Sequence, residues 1–271
     1  MTQASTPLQP QTLNITAIPA FTDNYIWLIE DRSANCSWLV DPGDADAVIN
    51  YLHSRNITNL KGILVTHHHP DHIGGIEKLM RAYPGIAIYG VESSRVTMIT
   101  NAVAPGLTLS LSASCQFDVL GVPGHTSDHI AYLLKSEDQP SLFCGDTLFS
   151  SGCGRLFEGT AAQMRLSLQQ FRSLAPGTKI YCAHEYTLAN LKFAQAVEPA
   201  NADLKLKYKW AAEQRESGQP TVPSTIGNEL VTNPFMRWDQ AQVIAIARAH
   251  GAIDDSPDEV FKAIRQWKDH F

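Results

Sequence analysis

The chain has 271 residues, enough for one large domain or for a large domain with a smaller one beside it. Hydrophobic residues make up 44% of it and charged residues 18%, as is ordinary for globular proteins. The net charge of −6 and the lack of a long apolar segment argue against a nucleic-acid partner and a membrane partner.

The cysteines and the N-terminal residues indicate the compartment. The five cysteines are odd in number and scattered, without a C-x-x-C pair, which favours reduced thiols in a cytoplasm over a disulfide framework. Residues 1–14 are rich in Thr, Gln and Pro and lack the basic start and apolar core of a signal peptide, so they predict a flexible N-terminal extension. We therefore expect a cytoplasmic protein, and we expect it to be a monomer.

Strands and helices alternate up to residue 187, and helices follow. Apolar, β-branched runs predict strands at 15–18, 25–30, 36–40, 61–66, 86–89, 130–135, 141–144 and 179–183, with a β-rich segment at 101–122. Amphipathic spacing predicts helices at 46–54, 73–82, 160–174, 188–197, 202–216, 240–250 and 257–268, with a loop at 218–227. We thus expect an α/β domain at 15–187, with sheets covered by helices, and a helical domain at 188–271.

The most informative stretch is Thr66-His67-His68-His69-Pro70-Asp71-His72, directly after a buried strand. In an extended segment, residues two apart point to the same side, so His67 and His69 can bind one metal ion. Asp71 and His72, past the bend at Pro70, can turn toward a second ion. His68 points the other way, and we do not expect it to be a ligand. Imidazole and carboxylate together suit zinc, iron or manganese.

Three further candidates each follow a predicted strand: His125, Asp146 and His184. An isolated histidine is more often a core or surface residue than a ligand, and an isolated aspartate more often caps a turn. Their positions after three strands, in a chain that already carries the histidine-rich loop, favour a role at the same metal centre.

The sequence His67-x-His69-x-Asp71-His72 matches the H-x-H-x-D-H motif of the metallo-β-lactamase superfamily. Over nearly its whole length the chain resembles glyoxalase II, the hydroxyacylglutathione hydrolase family. This resemblance implies an αββα sandwich with a small C-terminal helical domain. It also implies two divalent metal ions, zinc first, with iron or manganese possible.

The same resemblance implies a role for each metal-site residue. His67, His69 and His125 would hold the first ion, Asp71, His72 and His184 the second, and Asp146 would bridge both. A hydroxide between two metals is available at neutral pH and can attack a carbonyl carbon. We expect Asp71 to be the catalytic residue that orients this nucleophile or accepts its proton. Asp41 and Thr66 are candidates for hydrogen-bonding the ligand histidines, although Asp41 could equally be a plain turn residue.

Five residues match the positions where the family binds its glutathione thioester: Arg155, Phe157, Tyr186, Arg265 and Lys268. Glutathione carries two carboxylates, so cations in its site make physical sense. Without the resemblance, Arg265 and Lys268 would be read as a solvated helix face. The segment 233–237 also resembles the family, and we interpret it as packing between domains.

Two positions depart from the family pattern. The family commonly has tyrosine where this chain has Phe157, which cannot donate a hydroxyl hydrogen bond. Asp128 stands where glycine is usual, before His129, a second family histidine that we do not count as a ligand.

The implied reaction converts S-D-lactoylglutathione and water to glutathione and D-lactate, the second step of methylglyoxal detoxification. The alternative within the superfamily is a glutathione persulfide dioxygenase, which uses one iron and would not need all ligands of a second metal. A ribonuclease of this fold fits the acidic charge poorly. A decayed, non-enzymatic metal-binding domain would be expected to lack a ligand, and none is missing from the motif.

Overall fold

The computed structural model describes residues 13–93, 95–136 and 139–271. Within these residues the chain forms two six-stranded sheets and a short two-stranded one. The strands are β1 (Leu13–Ala20), β2 (Asn24–Asp31), β3 (Cys36–Val40), β4 (Leu60–Leu64), β5 (Ala87–Gly90), β6 (Asn101–Ala102), β7 (Thr108–Ser110), β8 (Gln116–Gly121), β9 (Ile130–Leu134), β10 (Ser141–Gly145), β11 (Leu148–Phe149), β12 (Gly152–Cys153), β13 (Lys179–Cys182) and β14 (Ser224–Thr225).

The helices follow the same chain order, and a 3₁₀ turn at Pro234–Met236 lies between the seventh and the eighth. They are α1 (Ala45–Ser54), α2 (Pro70–Ile73), α3 (Ile76–Ala82), α4 (Ala161–Arg172), α5 (Thr187–Val197), α6 (Ala202–Glu216), α7 (Ile226–Thr232), α8 (Ala241–Ala249) and α9 (Pro257–Asp269).

The first sheet has the order β1-β2-β3-β4-β5-β6 and is buried on both faces. Alternate residues of β2 show this: Trp27 and Ile29 face the second sheet, whereas Ile26 and Leu28 pack beneath α1 and α3. A strand that is covered on both sides reads as a continuous apolar run, which is why β2 shows no polar alternation. The four side chains are at most 3% exposed.

The second sheet has the order β14-β13-β10-β9-β8-β7. Since β9 is antiparallel to both β8 and β10, and β13 is parallel to β10, the strands β8, β10 and β13 run in one direction. Their carboxyl ends therefore lie at one edge. Tyr132 and Phe143 of this sheet share one apolar cluster with Leu168 and Phe171 of α4. The layers are thus helix, sheet, sheet and helix, which confirms the predicted αββα sandwich.

Helices α7 and α9 and the 3₁₀ turn pack against α4 and share an apolar core with the second sheet. Phe235, Phe261 and Ile264 belong to the same apolar cluster as the second sheet, and α9 lies along α4. Only the contact between α5 and α6 has its own small cluster among the described residues, around Leu191 and Leu204.

Glu229 of α7 ties the helical part to the short β11–β12 hairpin. Its side chain is fully buried, and Oε2 accepts hydrogen bonds from the backbone N–H of Ser151 at 2.6 Å and from Asn233 Nδ2 at 2.9 Å. Oε1 accepts from Lys207 Nζ at 2.7 Å and from Ser224 Oγ at 2.5 Å. A buried carboxylate with this many donors is stable only while they stay in place, so the hairpin and the helices are fixed together.

Some element boundaries differ from the prediction. The first strand begins at Leu13, so the last two residues of the predicted 1–14 extension are strand, and residues 1–12 lie outside the described part of the chain. The predicted loop 218–227 contains β14 and the start of α7. The predicted helix 73–82 begins at Ile76, and the separate turn α2 precedes it. In the described ranges, no helix combines the length and apolar character needed to cross a bilayer.

Candidate active site

The polar residues singled out in the sequence meet where strands of both sheets end. The loop with His67 and His69 follows β4, and His125, Asp146 and His184 follow β8, β10 and β13. A backbone hydrogen bond from Ile130 N–H to the Thr66 carbonyl oxygen, at 3.0 Å, joins the two sheets here. The carboxyl ends of these strands therefore bring the residues into one site.

His67, His69 and His125 form a first triad. The Nε2 atoms of His67 and His125 lie 3.1 and 3.0 Å from Nδ1 of His69. His125 Nδ1–H donates to the Arg155 carbonyl oxygen at 2.8 Å, which leaves the Nε2 lone pair facing inward. His69 has one Nδ1 proton at most, so the three nitrogens cannot all be satisfied by one another. An ion between them would satisfy all three.

Asp71, His72 and His184 form a second triad. Oδ2 of Asp71 lies 3.5 Å from His72 Nε2 and 3.4 Å from His184 Nε2. Asp146 stands between the triads: Oδ2 is 3.4 Å from His125 Nε2, and Oδ1 is 3.4 and 3.3 Å from the Nε2 atoms of His72 and His184. The structure thus brings all seven predicted ligands together, with Asp146 placed to serve both triads.

The spacing and chemistry of these atoms fit divalent metal ions. Tetrahedral bonds of 2.0–2.1 Å place ligand atoms about 3.3 Å apart, close to the separations in both triads. His72 Nε2 and Asp146 Oδ1 are buried and have no hydrogen-bond partner. Unpaired buried polar atoms are costly, and a cation between them removes that cost. The donors are imidazole and carboxylate, so the site is a divalent-metal centre.

The directions of the pKa shifts indicate that the second triad favours positive charge. Burial alone would lower the pKa of His184, but the nearby carboxylates of Asp146 and Asp71 raise it to about 10. His72 is buried as well, and Asp146 and Asp41 hold its pKa well above the usual value. By contrast, burial and the neighbouring His72 hold the pKa of His67 well below its usual value. Carboxylates surround the second triad closely enough to trap protons, so they would also attract a metal ion.

Asp41 supports one ligand of each triad. Its Oδ2 accepts from His72 Nδ1–H at 3.0 Å and from the Thr66 hydroxyl at 2.6 Å, and Thr66 Oγ1 accepts in turn from His67 Nδ1 at 3.1 Å. Asp41 has φ +51°, a left-handed conformation that non-glycine residues rarely adopt. The predicted role of Asp41 and Thr66 as hydrogen-bond partners of the ligands is therefore present in the structure, and Asp41 is more than a turn residue.

The turn after Asp41 lies directly against residues 66–72, here called the metal loop. A Cβ atom on Gly43 would sit 1.8 Å from the backbone oxygen of Asp71, so only glycine allows this approach. The contact helps to fix the backbone of Asp71, and with it the position of its carboxylate in the second triad.

Two supporting residues were not singled out in the sequence. Asp23 Oδ1 accepts from His184 Nδ1–H at 2.8 Å, and Asn24 Nδ2 donates to Asp71 Oδ2 at 3.0 Å. Both lie at the turn between β1 and β2, where Asp and Asn are ordinary turn residues. The only signal in the sequence is that an aspartate and an asparagine are neighbours. This pattern does not distinguish residues that support metal ligands from ordinary turn residues.

His129 and His68 are not ligands in this arrangement. His129 is 1% exposed and stacks on His67 with ring centroids 4.6 Å apart, and its Nε2 accepts from the Asp146 backbone N–H at 3.2 Å. Burial lowers the pKa of His129 to about 3, which keeps that nitrogen an acceptor. His68 lies outside both triads, near Asp128 and Glu158.

A cavity of about 580 Å³ opens beside the metal-binding residues. All five residues predicted to bind substrate line it: Arg155, Phe157, Tyr186, Arg265 and Lys268. The Phe157 ring contacts His69 and His125 edge-on, with centroids 5.6 and 5.2 Å away. The Tyr186 ring stacks on His184 at 4.8 Å. The aromatic rings therefore form walls directly beside both triads.

The three cationic side chains of the cavity differ in their exposure and in their hydrogen-bond partners. Arg155 is exposed, whereas Arg265 is 3% exposed and donates to the Cys153 carbonyl oxygen at 3.0 Å and to Asp269 Oδ1 at 2.8 Å. Burial, with Arg265 and Arg155 nearby, lowers the pKa of Lys268 to about 8. Arg155 and Lys268 are thus available to an anion, and Arg265 mainly holds the wall in place while its Nε stays without a partner.

Comparisons with known proteins point to one family. Residues 185–271 match the family model described as hydroxyacylglutathione hydrolase C-terminus, and residues 20–98 match that of the metallo-β-lactamase superfamily. A hydroxyacylglutathione hydrolase from Shewanella oneidensis is 47% identical, over 96% of this chain and 100% of the relative.

Solved structures share the fold at lower identity. ETHE1 from Myxococcus xanthus gives a TM-score of 0.64 at 23% identity, covering 94% of this chain and 89% of that one. TTHA1623, solved in a di-iron-bound form, gives 0.57 at 21% identity, covering 82% and 99%. At these identities the likeness shows the fold alone.

Proposed function

The chain belongs to the hydroxyacylglutathione hydrolase family of the metallo-β-lactamase superfamily, and from this we propose that it hydrolyses the thioester of S-(2-hydroxyacyl)glutathione. The substrate we propose is S-D-lactoylglutathione, and the products are glutathione and D-lactate. This is the second step of methylglyoxal degradation.

One observation carries the proposal: two metal-binding triads share Asp146 and open into a cavity that holds free cations. The triads suit the cleavage of an acyl bond by water. Arg155 and Lys268 suit a thiol that carries carboxylates, since charge-assisted hydrogen bonds to carboxylate are strong. The same cavity therefore offers a place for each half of the substrate.

We propose that His67, His69 and His125 hold one ion, that Asp71, His72 and His184 hold the other, and that Asp146 contacts both. Zinc is our first choice because the ligands are imidazole and carboxylate in tetrahedral spacing, and iron or manganese would fit the same donors. When bound, such ions supply a nucleophile from water at neutral pH and Lewis acidity for the carbonyl oxygen.

Asp71 is the residue to which we assign proton handling. Burial would raise its pKa, but the hydrogen bond from His184 and the charge of His72 lower it below the usual range, so Asp71 stays an acceptor. Asn24 holds its Oδ2, which leaves the other oxygen free to orient or accept a proton from the attacking water. A thiolate leaves readily, so the departing glutathione needs little help from an acid.

We assign substrate binding to Arg155, Phe157, Tyr186, Arg265 and Lys268. Arg155 and Lys268 would meet the carboxylates, and Phe157 and Tyr186 would flank the acyl group and the sulfur. Residues 188–271 then form the helical substrate-binding domain beside a catalytic domain at 15–187. A monomer and a cytoplasmic location stay predictions; the latter rests on the odd number and scattered positions of the five cysteines in the sequence.

The alternative, a persulfide dioxygenase, needs one iron. The convergence of Asp71, His72 and His184 into a complete second triad favours the hydrolase.

The test is hydrolysis of S-D-lactoylglutathione by purified protein, followed by loss of thioester absorbance and by thiol release, with and without chelation. We expect chelator-sensitive turnover and about two metal ions per chain by elemental analysis. A sample that holds two metals and does not turn over would contradict the substrate, and oxygen uptake with glutathione persulfide would then test the alternative.

A further inference from the structure

A cluster of charged side chains lies beside the metal centre and is not part of it. We call Arg95, Ser127, Asp128 and Glu158 the loop clamp. Arg95 Nη1 donates to Glu158 Oε1 at 2.5 Å, and Nη2 donates to Asp128 Oδ2 at 3.0 Å. Ser127 donates to Glu158 Oε2 from its backbone N–H at 2.8 Å and from its hydroxyl at 2.9 Å. One guanidinium thus joins two carboxylates from different loops.

The clamp connects segments with separate tasks. Arg95 lies between β5 and β6, and Ser127 and Asp128 follow the ligand His125. Glu158 belongs to residues 152–159, here called the substrate loop, which also carries Arg155 and Phe157. His68, between two ligands of the metal loop, lies 3.4 Å from Glu158 and 3.6 Å from Asp128. Arg95 itself lines no part of the substrate cavity.

The buried start of the substrate loop and Leu156 contact the core, but its exposed part has little packing. Phe157 is 63% exposed and Arg155 is exposed, so neither is held by a surrounding core. Two hydrogen bonds join the loop to His125: its side-chain Nδ1–H donates to the Arg155 carbonyl oxygen at 2.8 Å, and its backbone carbonyl oxygen accepts from the Phe157 backbone N–H at 3.3 Å. The Glu158 side chain anchors the end of the loop through Ser127 and Arg95. The start of the loop is held by Arg265 and Asn233, which donate to the carbonyl oxygens of Cys153 and Gly152.

The anchor keeps its charge across physiological pH. The hydrogen bond from the Ser127 backbone, with Arg95 beside it, lowers the pKa of Glu158 to about 2. Isolated exposed ion pairs contribute little, but a guanidinium shared by two carboxylates has a fixed geometry.

We propose that Arg95 is a positioning residue: by joining Asp128 to Glu158, it fixes the substrate loop so that Arg155 and Phe157 face the cavity, and it thereby sets affinity for the glutathione half of the substrate. The inference rests on the proposed function, because it concerns the same cavity. Asp128 gives the clamp its second carboxylate.

The test compares Arg95→Gln, Arg95→Lys, Glu158→Gln and Asp128→Gly with the unmodified protein, using S-D-lactoylglutathione and measuring kcat, KM and metal content. We expect Arg95→Gln and Glu158→Gln to raise KM about fivefold to tenfold, with kcat within about twofold and metal content unchanged. Arg95→Lys should fall between, because an ammonium cannot bridge both carboxylates as a planar guanidinium does. Asp128→Gly should raise KM about twofold, since Arg95 still holds Glu158.

Arg248→Gln is the matched control. Arg248 pairs with Asp255 at 2.9 Å and is 47% exposed, against 39% for Arg95, but it lies on α8, away from the cavity. It should leave KM unchanged. A double-mutant cycle with Arg155→Ala separates positioning from general stability: if Arg95 acts through the substrate loop, the effects on KM are less than additive.

An unchanged KM in Arg95→Gln would overturn the proposal. So would a fall in kcat and metal content at constant KM, because the clamp would then support the metal loop through His68. If the unmodified protein does not hydrolyse the thioester, the proposed function fails separately. In that case, calorimetry measures the Kd of S-methylglutathione for the metal-loaded protein. A Kd that rises in Arg95→Gln but not in Arg248→Gln would support the role of the clamp.

Discussion

Five of the seven metal-site residues line one cavity with the substrate-facing residues, but the two groups are held in different ways. His67 and Asp146 are 4% and 7% exposed, whereas Tyr186 and Phe157 are 38% and 63% exposed. Each ligand histidine except His69 has an identified partner for its outer nitrogen, and Asp41 supports one ligand in each triad. Of the substrate-facing side chains, Arg155 and Phe157 depend on the anchors of the substrate loop, whereas Arg265 and Lys268 are held by helix α9.

This difference predicts which residues tolerate substitution and which do not. A buried polar group that loses its partner costs much, and an exposed one costs little. Changes at the metal centre should therefore reduce kcat and metal content steeply. We call the five residues proposed to bind substrate the substrate wall. Substitutions there should act on KM, and the changes in KM should be moderate.

The largest effect is expected at Asp146, which serves both triads. Asp146→Asn removes the charge that faces His72, His125 and His184, so we expect metal content to fall and kcat/KM to drop by about a thousandfold or more. Elemental analysis and steady-state kinetics check this. Asp118→Asn is the control, because Asp118 pairs with Lys135 at the surface; equal losses in both variants would contradict a special role for Asp146.

The next effect is expected at Asp41. In Asp41→Asn the amide nitrogen would face the Thr66 hydroxyl or His72 Nδ1–H, both of which are donors, and we expect about a tenfold to hundredfold loss of metal affinity. Metal affinity is measured by competition with a chromophoric chelator. Thr66→Ser keeps the hydroxyl that links Asp41 to His67 and should bind metal normally. Tight metal binding by Asp41→Asn would show that burial alone orients the ligands.

The pH dependence of KM tests the substrate wall. Because the pKa of Lys268 is lowered to about 8, the amine is charged below that pH and loses its charge above it. We therefore expect KM to rise as the pH passes above about 8 and to be flat below it. Lys268→Arg should abolish the rise, since guanidinium stays charged. Lys268→Gln should raise KM about tenfold at pH 7. A rise that persists in Lys268→Arg would assign the titration to another group.

The smallest effect is expected at Phe157. Phe157→Tyr restores the hydroxyl that the family commonly has, and we expect KM to fall about twofold to threefold with kcat unchanged. Phe157→Leu, which removes the ring from His69 and His125, should raise KM by a similar factor. If both variants match the unmodified protein, the ring contributes nothing to binding.

The metal centre could be predicted from the sequence because its central information is local. Four of the seven ligands lie within six residues, and the others each follow a strand that an apolar run reveals. Asp23 and Asn24 could not be predicted as supporting residues, since their role depends on strands β2 and β13 meeting across the two sheets.

Long-range contacts also explain the errors in the elements. The two-residue strand β14 pairs with β13 more than 40 positions earlier in the chain, and its sequence has no periodicity of its own. The break between α2 and α3 arises because Gly75 packs against the Pro42 carbonyl oxygen, where a Cβ would lie at 2.5 Å. Neither contact leaves a local pattern.

The pairing of β14 with β13, together with Glu229, has a consequence for the evolution and engineering of this architecture. The C-terminal segment supplies the outermost strand of one sheet and the carboxylate that fixes Ser151, so it is a structural part of the sheet and of the hairpin. A chimaera of two relatives joined near residue 187 would exchange a sheet edge, a hairpin anchor and a substrate wall in one step. In such a chimaera, the preference for the thiol half of the substrate and the stability of the sheet would therefore change together.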